Sequence, residues 1–224
     1  MKRTLGILVS LLVPVVLLLT SVRLLLTPIF VTIEYHTPGF PEDPYGMTQE
    51  QRLRYAPLAL EYLLNDEDSG FLAEQRFEDG TLLYNERELG HMEDVKALAQ
   101  TVLKVWLLTT ALLVGIAAAA WHFDWWSEFR LWLSRGGRLT VILILALLVF
   151  VGLSFDALFT GFHGIFFEGD TWLFLFSDTL IRLFPLRFWQ DVFIALGVLS
   201  LAGGAALWRF AAPKKAKVGA KSQR

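Results

Sequence analysis

No cysteine occurs among the 224 residues. That absence excludes disulfides, a thiol nucleophile, lipidation of this chain through cysteine and any thiolate metal site. Histidine is nearly as scarce, at four, and methionine numbers three. Charge is thin too, at 19% of residues, and a formal net charge of −2 names no partner because the charges are segregated along the chain. What is abundant is apolar: 54% hydrophobic residues, with 8 Trp and 18 Phe. That share exceeds the ordinary soluble domain and makes an integral membrane protein the first expectation.

Four apolar runs, at 5–26, 102–121, 139–160 and 188–208, are long enough to cross roughly 30 Å of hydrocarbon as helices. Lys2 and Arg3 precede the first run as they would in a signal peptide, but no small-x-small cleavage pattern follows, so a retained anchor is expected. Segments 1–6, 122–138 and 209–224 hold 11 Lys/Arg in 39 residues, whereas 27–98 and 161–187 hold 7 in 99. The positive-inside rule therefore places both termini, the loop 122–138 and the basic tail 209–224 in the cytoplasm. The two remaining segments lie outside. The expected order is span 1–26, acidic cap 27–98, span 99–121, cytoplasmic loop, span 139–160, interfacial segment 161–187, span 188–208 and tail.

The segment 27–98 carries 15 acidic and 5 basic residues and is large enough to fold as a cap. "TPGFPEDPYG" (37–46) is rich in turn formers. "MTQEQRLRYAPLALEYLLN" predicts an amphipathic helix whose Thr48 and Gln51 form a capping box. In "EQRFEDGTLLYN" the pair Asp79-Gly80 between short alternating runs signals a β-hairpin. Asn85 and Glu88 form a second capping box, after which nothing forces a break before Trp121, although Gly90 weakens the helix locally. The fold class is thus all-α, four transmembrane helices with a small α cap, one hairpin and an aromatic interfacial or re-entrant segment. That segment, "GFHGIFFEGDTWLFLFSDTLIRLFPLRFWQD" (161–191), is too broken for a span, and Trp172, Trp189 and several Phe suit an interface.

The histidines narrow the chemistry. His122, in "WHFDWW", falls at the cytoplasmic end of the second span and reads as a belt residue, and His36, in a turn-rich stretch, as an exposed one. His91 stands about 10–16 Å beyond the hydrocarbon edge at roughly 1.5 Å per residue, which a tilt would bring to headgroup level. Glu88 at i−3 and Asp94 at i+3 favour its protonated form, unless it is simply a solvated helix-face residue. His163, in "GFHGIFF", has apolar neighbours that would lower its pKa and leave an uncharged base, unless it is merely bonded to a carbonyl. Opposite settings for two outer histidines suggest a base and a cationic stabiliser. A zinc site built from them with Asp94 or Glu93 is the competing use, but no ligand pair has HExxH-like spacing. Arg23 and Lys104 can snorkel, Asp156 can pair with either, and Arg182 can pair with Asp178 at i−4 or hold a lipid's polar group.

"NERELGHMEDVK", "FHGIFFEGDTWLF" and "SDTLIRLFPLRFW" resemble the bacterial lipoprotein intramolecular transacylases (Lit), a family of small four-span membrane proteins. The resemblance implies an acyltransferase acting on diacylated lipoproteins, moving the acyl chain from the glyceryl sn-2 ester to the α-amino group of the N-terminal cysteine. It implies His91 and His163 as catalytic residues, with His163 as base and His91 as stabiliser, or the reverse. Asp94, Asp178, Arg182 and Trp172 would support the site or touch substrate. No cofactor or metal is implied, because ester-to-amide transfer runs downhill and the substrate supplies its own nucleophile. Two rivals use the same cleft: a non-enzymatic lipoprotein-binding assembly factor and an interfacial metal-dependent hydrolase. A transporter fits poorly, with no inverted repeat and few intramembrane charges.

Overall fold

The computed structural model describes residues 2–212, so the calls on the tail beyond 212 lie outside the described residues. Nine helices follow one another among those residues: α1 (Lys2–Leu25), α2 (Pro28–Tyr35), α3 (Gln49–Leu64), α4 (Gly70–Ala73), α5 (Glu86–His122), α6 (Trp126–Leu153), α7 (Phe155–Phe166), α8 (Thr179–Leu183) and α9 (Leu186–Phe210). Helices α1, α5, α6 and α9 are long and apolar enough to cross a membrane. Many of their side chains point outward, among them Leu107, Leu108, Val114 and Leu153. That is the surface a bilayer, not water, accepts.

Helix α6 is the centre of the bundle and packs on both α9 and α1. Small residues set the distance. A Cβ on Gly137 would lie 2.5 Å from the Gly204 carbonyl oxygen, and one on Gly204 would lie 3.0 Å from that of Gly137, so the two backbones touch where side chains would hold them apart. Polar groups inside the bundle find each other: Ser21 and Ser200 share a hydrogen bond of 3.0 Å, and the Trp106 indole donates to Thr20 Oγ1 at 3.1 Å. At the end where α1 begins and α9 ends, Lys2 pairs with Glu128, and Arg130 donates to the Phe210 and Ala211 carbonyls.

The opposite end carries everything between the spans that folds. Helices α2 to α4 connect α1 to α5, and α7 and α8 connect α6 to α9. Their common core contains Tyr55, Tyr62, Leu72, Leu83, Tyr84, Leu183 and Phe188. Both predicted capping boxes form, Thr48 with Gln51 and Asn85 with Glu88. The expected hairpin is reduced to its turn: Gly80 takes φ +85°, and a single antiparallel bridge joins Arg76 and Leu82 without regular strands. Only a few residues flank the turn before α4 and the Asn85 cap claim the chain, too few for a ladder.

Two further expectations are corrected. The stretch 122–138 is mostly helix, because α6 starts at Trp126, directly after a turn in which Asp124 has φ +57°. The third apolar run is not one helix to residue 160. It breaks at Ser154, which has φ −159° and ψ 76°, and α7 begins anew. Asp156 consequently stands exposed in the first turn of α7, and among the described residues no ion pair joins it to Arg23 or Lys104.

One carboxyl in this end is pushed toward its protonated form by its surroundings. Glu34 of α2 is buried, with Asp191 facing it and Arg187 beyond. Burial, reinforced by the Asp191 carboxylate, pushes Glu34 from 4.5 up to about 7. A raised carboxyl favours folding below its unfolded pKa, and that advantage drains away as pH climbs from 4.5 to about 7. Glu34→Gln keeps a donor toward Asp191 and removes the charge. It is expected to raise the melting temperature in detergent at alkaline pH and leave it unchanged at acid pH; an equal shift at both would refute this assignment.

Candidate active site

Helix α5 begins with charged turns that project beyond its apolar stretch, and His91 sits there. Asn85 and Glu88 fix that beginning. The Glu88 backbone N–H donates to Asn85 Oδ1 at 3.0 Å, and Glu88 Oε2 accepts from the Asn85 N–H at 2.8 Å. Glu88 Oε1 reaches across to accept from the Leu180 N–H at 2.7 Å, tying α5 to α8. This carboxyl is only 1% exposed, and its burial raises its pKa against the pull of those backbone donors. Removing it would orphan the buried Leu180 N–H, at about 1–3 kcal/mol, and open the cap at Asn85.

His163 comes from α7. Its Nδ1 lies 2.7 Å from the Phe159 carbonyl oxygen one turn earlier. In the neutral ring that nitrogen is the donor, which leaves Nε2 with a free lone pair. The His91 and His163 rings stack with centroids 6.2 Å apart and planes at 21°. A single ester or amine can span such a gap with hydrogen bonds of about 2.7–3.0 Å to both rings.

Aromatic rings wall the pair. Phe167 lies 4.9 Å and Phe174 5.2 Å from His91, each edge-on, and Phe159 lies 4.2 Å from His163. The Trp172 indole packs against His163 at 4.7 Å and 33°. Trp172 had been expected to support the site; Phe159 had been placed in a span and Phe167 and Phe174 in the interface, and their place around the imidazoles is what sequence reasoning missed. The signal was there for two of them: Phe159 and Phe167 stand at i−4 and i+4 from His163 on one helical face.

The walls reverse the expected electrostatics of His91. It is 8% exposed, and burial, followed by repulsion from His163, drops its pKa from 6.5 to about 4. The two acidic neighbours counted on to charge it point elsewhere: Glu88 is spent on the cap and on Leu180, and Asp94 is exposed with no bond to either ring among the described residues. His91 is a neutral imidazole, not a cation, and its Nδ1 is buried without a partner. Burial lowers His163 as well, against the bond to Phe159.

The remaining candidates separate. Asp178 accepts from the Leu175 N–H at 2.8 Å and from the Asn85 amide at 3.3 Å, holding the 168–178 segment to the start of α5. Arg182 does not pair with Asp178. Its Nε and Nη2 both lie 3.0 Å from Asp43 Oδ2, and Nη2 also donates to the Tyr45 carbonyl. Arg52 completes that knot by donating to the carbonyls of Arg182 and Pro41. A cleft of about 410 Å³ beside these arginines is lined by Tyr45, Phe176 and Arg187, and no histidine borders it. His36 is exposed at the end of α2, and His122 lies at the far end of α5. Among the described residues no group of three His, Asp or Glu side chains is placed to hold a metal ion.

Comparison with known proteins adds the following. The family model described as lipoprotein intramolecular transacylase Lit matches residues 7–189. An uncharacterized protein of Aquifex aeolicus (strain VF5) is 29% identical over 205 residues, which is 91% of each chain. The in meso structure of the membrane integral lipoprotein intramolecular transacylase Lit from Bacillus cereus superimposes with a TM-score of 0.75 at 21% identity, covering 93% of both chains. A form of that protein with one histidine replaced by arginine gives a TM-score of 0.67 over 94% of this chain and 90% of that one. At this identity the structural likeness speaks for the fold.

Proposed function

The chain belongs to the lipoprotein intramolecular transacylase family, and from that premise we propose that its reaction carries the sn-2 acyl chain of a diacylglyceryl-cysteine lipoprotein to the cysteine α-amino group. The amine nitrogen attacks the ester carbonyl carbon, a C–N bond forms, and the carbonyl oxygen takes the negative charge. His163 Nε2 accepts the proton that the amine must shed. It returns that proton to the glyceryl oxygen as the C–O bond breaks, leaving an amide and a free sn-2 hydroxyl. An α-amine near 7.7–8 and an imidazole near 6.5 are close enough for transfer in both directions. His91, uncharged, donates a hydrogen bond to the developing oxyanion.

The observation that carries this reading is the pair itself: two neutral imidazoles from α5 and α7, 6.2 Å apart, one with its tautomer set by Phe159. Holding both reacting groups of one substrate between them supplies proximity, the largest saving open to an enzyme that contributes no nucleophile. The excess of Lys/Arg in the segments at the other end of the bundle supports termini in the cytoplasm and a site on the outer face. Domain boundaries follow the same reading, with the acidic 27–98 segment as a cap through which the lipoprotein's N-terminus is admitted. Asp178 and Arg182 shape the walls; Asp94 has no assigned part.

The test is purified protein in lipid with a synthetic diacylated lipopeptide, and fragmentation of the product by mass spectrometry. The expected product has unchanged mass and an acylated α-nitrogen. A released fatty acid would point to a hydrolase, and an intact ester to a binding factor; either result would overturn the proposal.

A further inference from the structure

Several polar groups at the site end of the molecule lack partners, and two of them belong to the aromatic cluster around the imidazole pair. His91 Nδ1 is one, and the indole Nε1 of Trp172 is the other. An indole nitrogen can only donate. A buried donor with no acceptor is costly to the fold and calls for an explanation. His163, whose ring the indole packs against, does not satisfy it. The two rings pack with centroids 4.7 Å apart and planes tilted by 33°, and no hydrogen bond joins the indole N–H to the imidazole.

The position of the indole is enforced. Arg87 stands one turn before His91 on α5, donates to the Leu173 carbonyl at 2.9 Å, and reaches Asp170 at 3.6 Å. The Leu173 N–H bonds the Asp170 carbonyl at 3.0 Å, and Gly169 turns the chain with φ +63°. Trp172 is therefore clamped from both sides by the same helix that presents His91.

We propose that Trp172 is a catalytic residue whose Nε1–H, together with a donor from His91, holds the carbonyl oxygen of the ester undergoing transfer. The inference rests on the acyl-shift reading above. A carbonyl oxygen has two lone pairs and gains a full negative charge as the C–N bond forms. Two buried donors, one on His91 beside Phe167 and Phe174 and one on the indole, stabilise that charge without reorganising. An ammonium or an alkyl chain would leave the indole unsatisfied, so the occupant matched to this corner is an acyl carbonyl.

The experiment replaces Trp172 in the full-length protein with phenylalanine and, separately, with 3-benzothienylalanine, which keeps the indole outline and substitutes sulfur for N–H. Turnover of a synthetic diacylated lipopeptide is followed in lipid, beside His163→Ala. The expected result is a fall in kcat on the order of 10²-fold for both variants with little change in KM, since the bond is made mainly in the transition state. Should the phenylalanine variant unfold, the isostere decides. Full turnover by the isostere while His163→Ala is inactive would overturn the role of Trp172 and leave the histidine mechanism standing. Full turnover by His163→Ala would overturn the underlying reading, and this proposal with it.

Discussion

His163→Ala is expected to lower conversion of a diacylated lipopeptide by roughly 10²–10⁴-fold at neutral pH, the usual span for loss of a positioned general base. The geometry makes the loss specific. Phe159 holds Nδ1, so only Nε2 faces the substrate with a lone pair, and no other base touches the pair among the described residues. Two pH signatures accompany it. Burial lowers the His163 pKa, so its base form persists throughout the neutral range and the acid limb of kcat/KM for the unaltered protein falls below about 6.5. In His163→Ala the limb moves the other way. The substrate amine must then lose its proton to water, and residual conversion should rise toward the amine pKa of about 8. A variant whose profile matched the parent would show that His163 handles no proton.

Much of the fold was legible because it is written locally. The four long apolar runs mark the spans, and a helix start such as Asn85 with Glu88 needs only the residues it contains. The break at Ser154 was hidden because apolar residues lie on both sides of it and the glycine nearby, Gly152, still sits inside α6 two residues earlier. Long-range polar contacts were equally hidden. Arg182 looked like a partner for Asp178, four residues away, but Asp43, 139 positions earlier, is the group the cap delivers to it. The site shows the same division. The closeness of His91 and His163 could be anticipated from the sequence, whereas the charge state of His91 could not. Sequence proximity to Glu88 and Asp94 argued for a cation. Burial under Phe167 and Phe174, set by α7 and the segment behind it, decides the other way.

That reversal gives the second large expectation. If His91 acts as a neutral donor to the oxyanion, His91→Ala should lose roughly 10²–10³-fold in kcat, the range for a single oxyanion donor. His91→Gln, which restores an uncharged N–H, should recover part of the loss. His91→Lys should recover none, although it supplies the positive charge that a cationic stabiliser would need. An ammonium in this pocket is penalised by the same desolvation that drops the imidazole to about 4, and it sits against a second imidazole, with no carboxylate bonded to either ring among the described residues. The three variants therefore rank Gln above Ala and Lys in the lipopeptide assay. The opposite order, with lysine the most active, would mean that the transition state draws a charge onto His91 that the resting fold does not hold. His163 would then be the group to re-examine, because a charged His91 could itself have taken the proton of the amine being acylated.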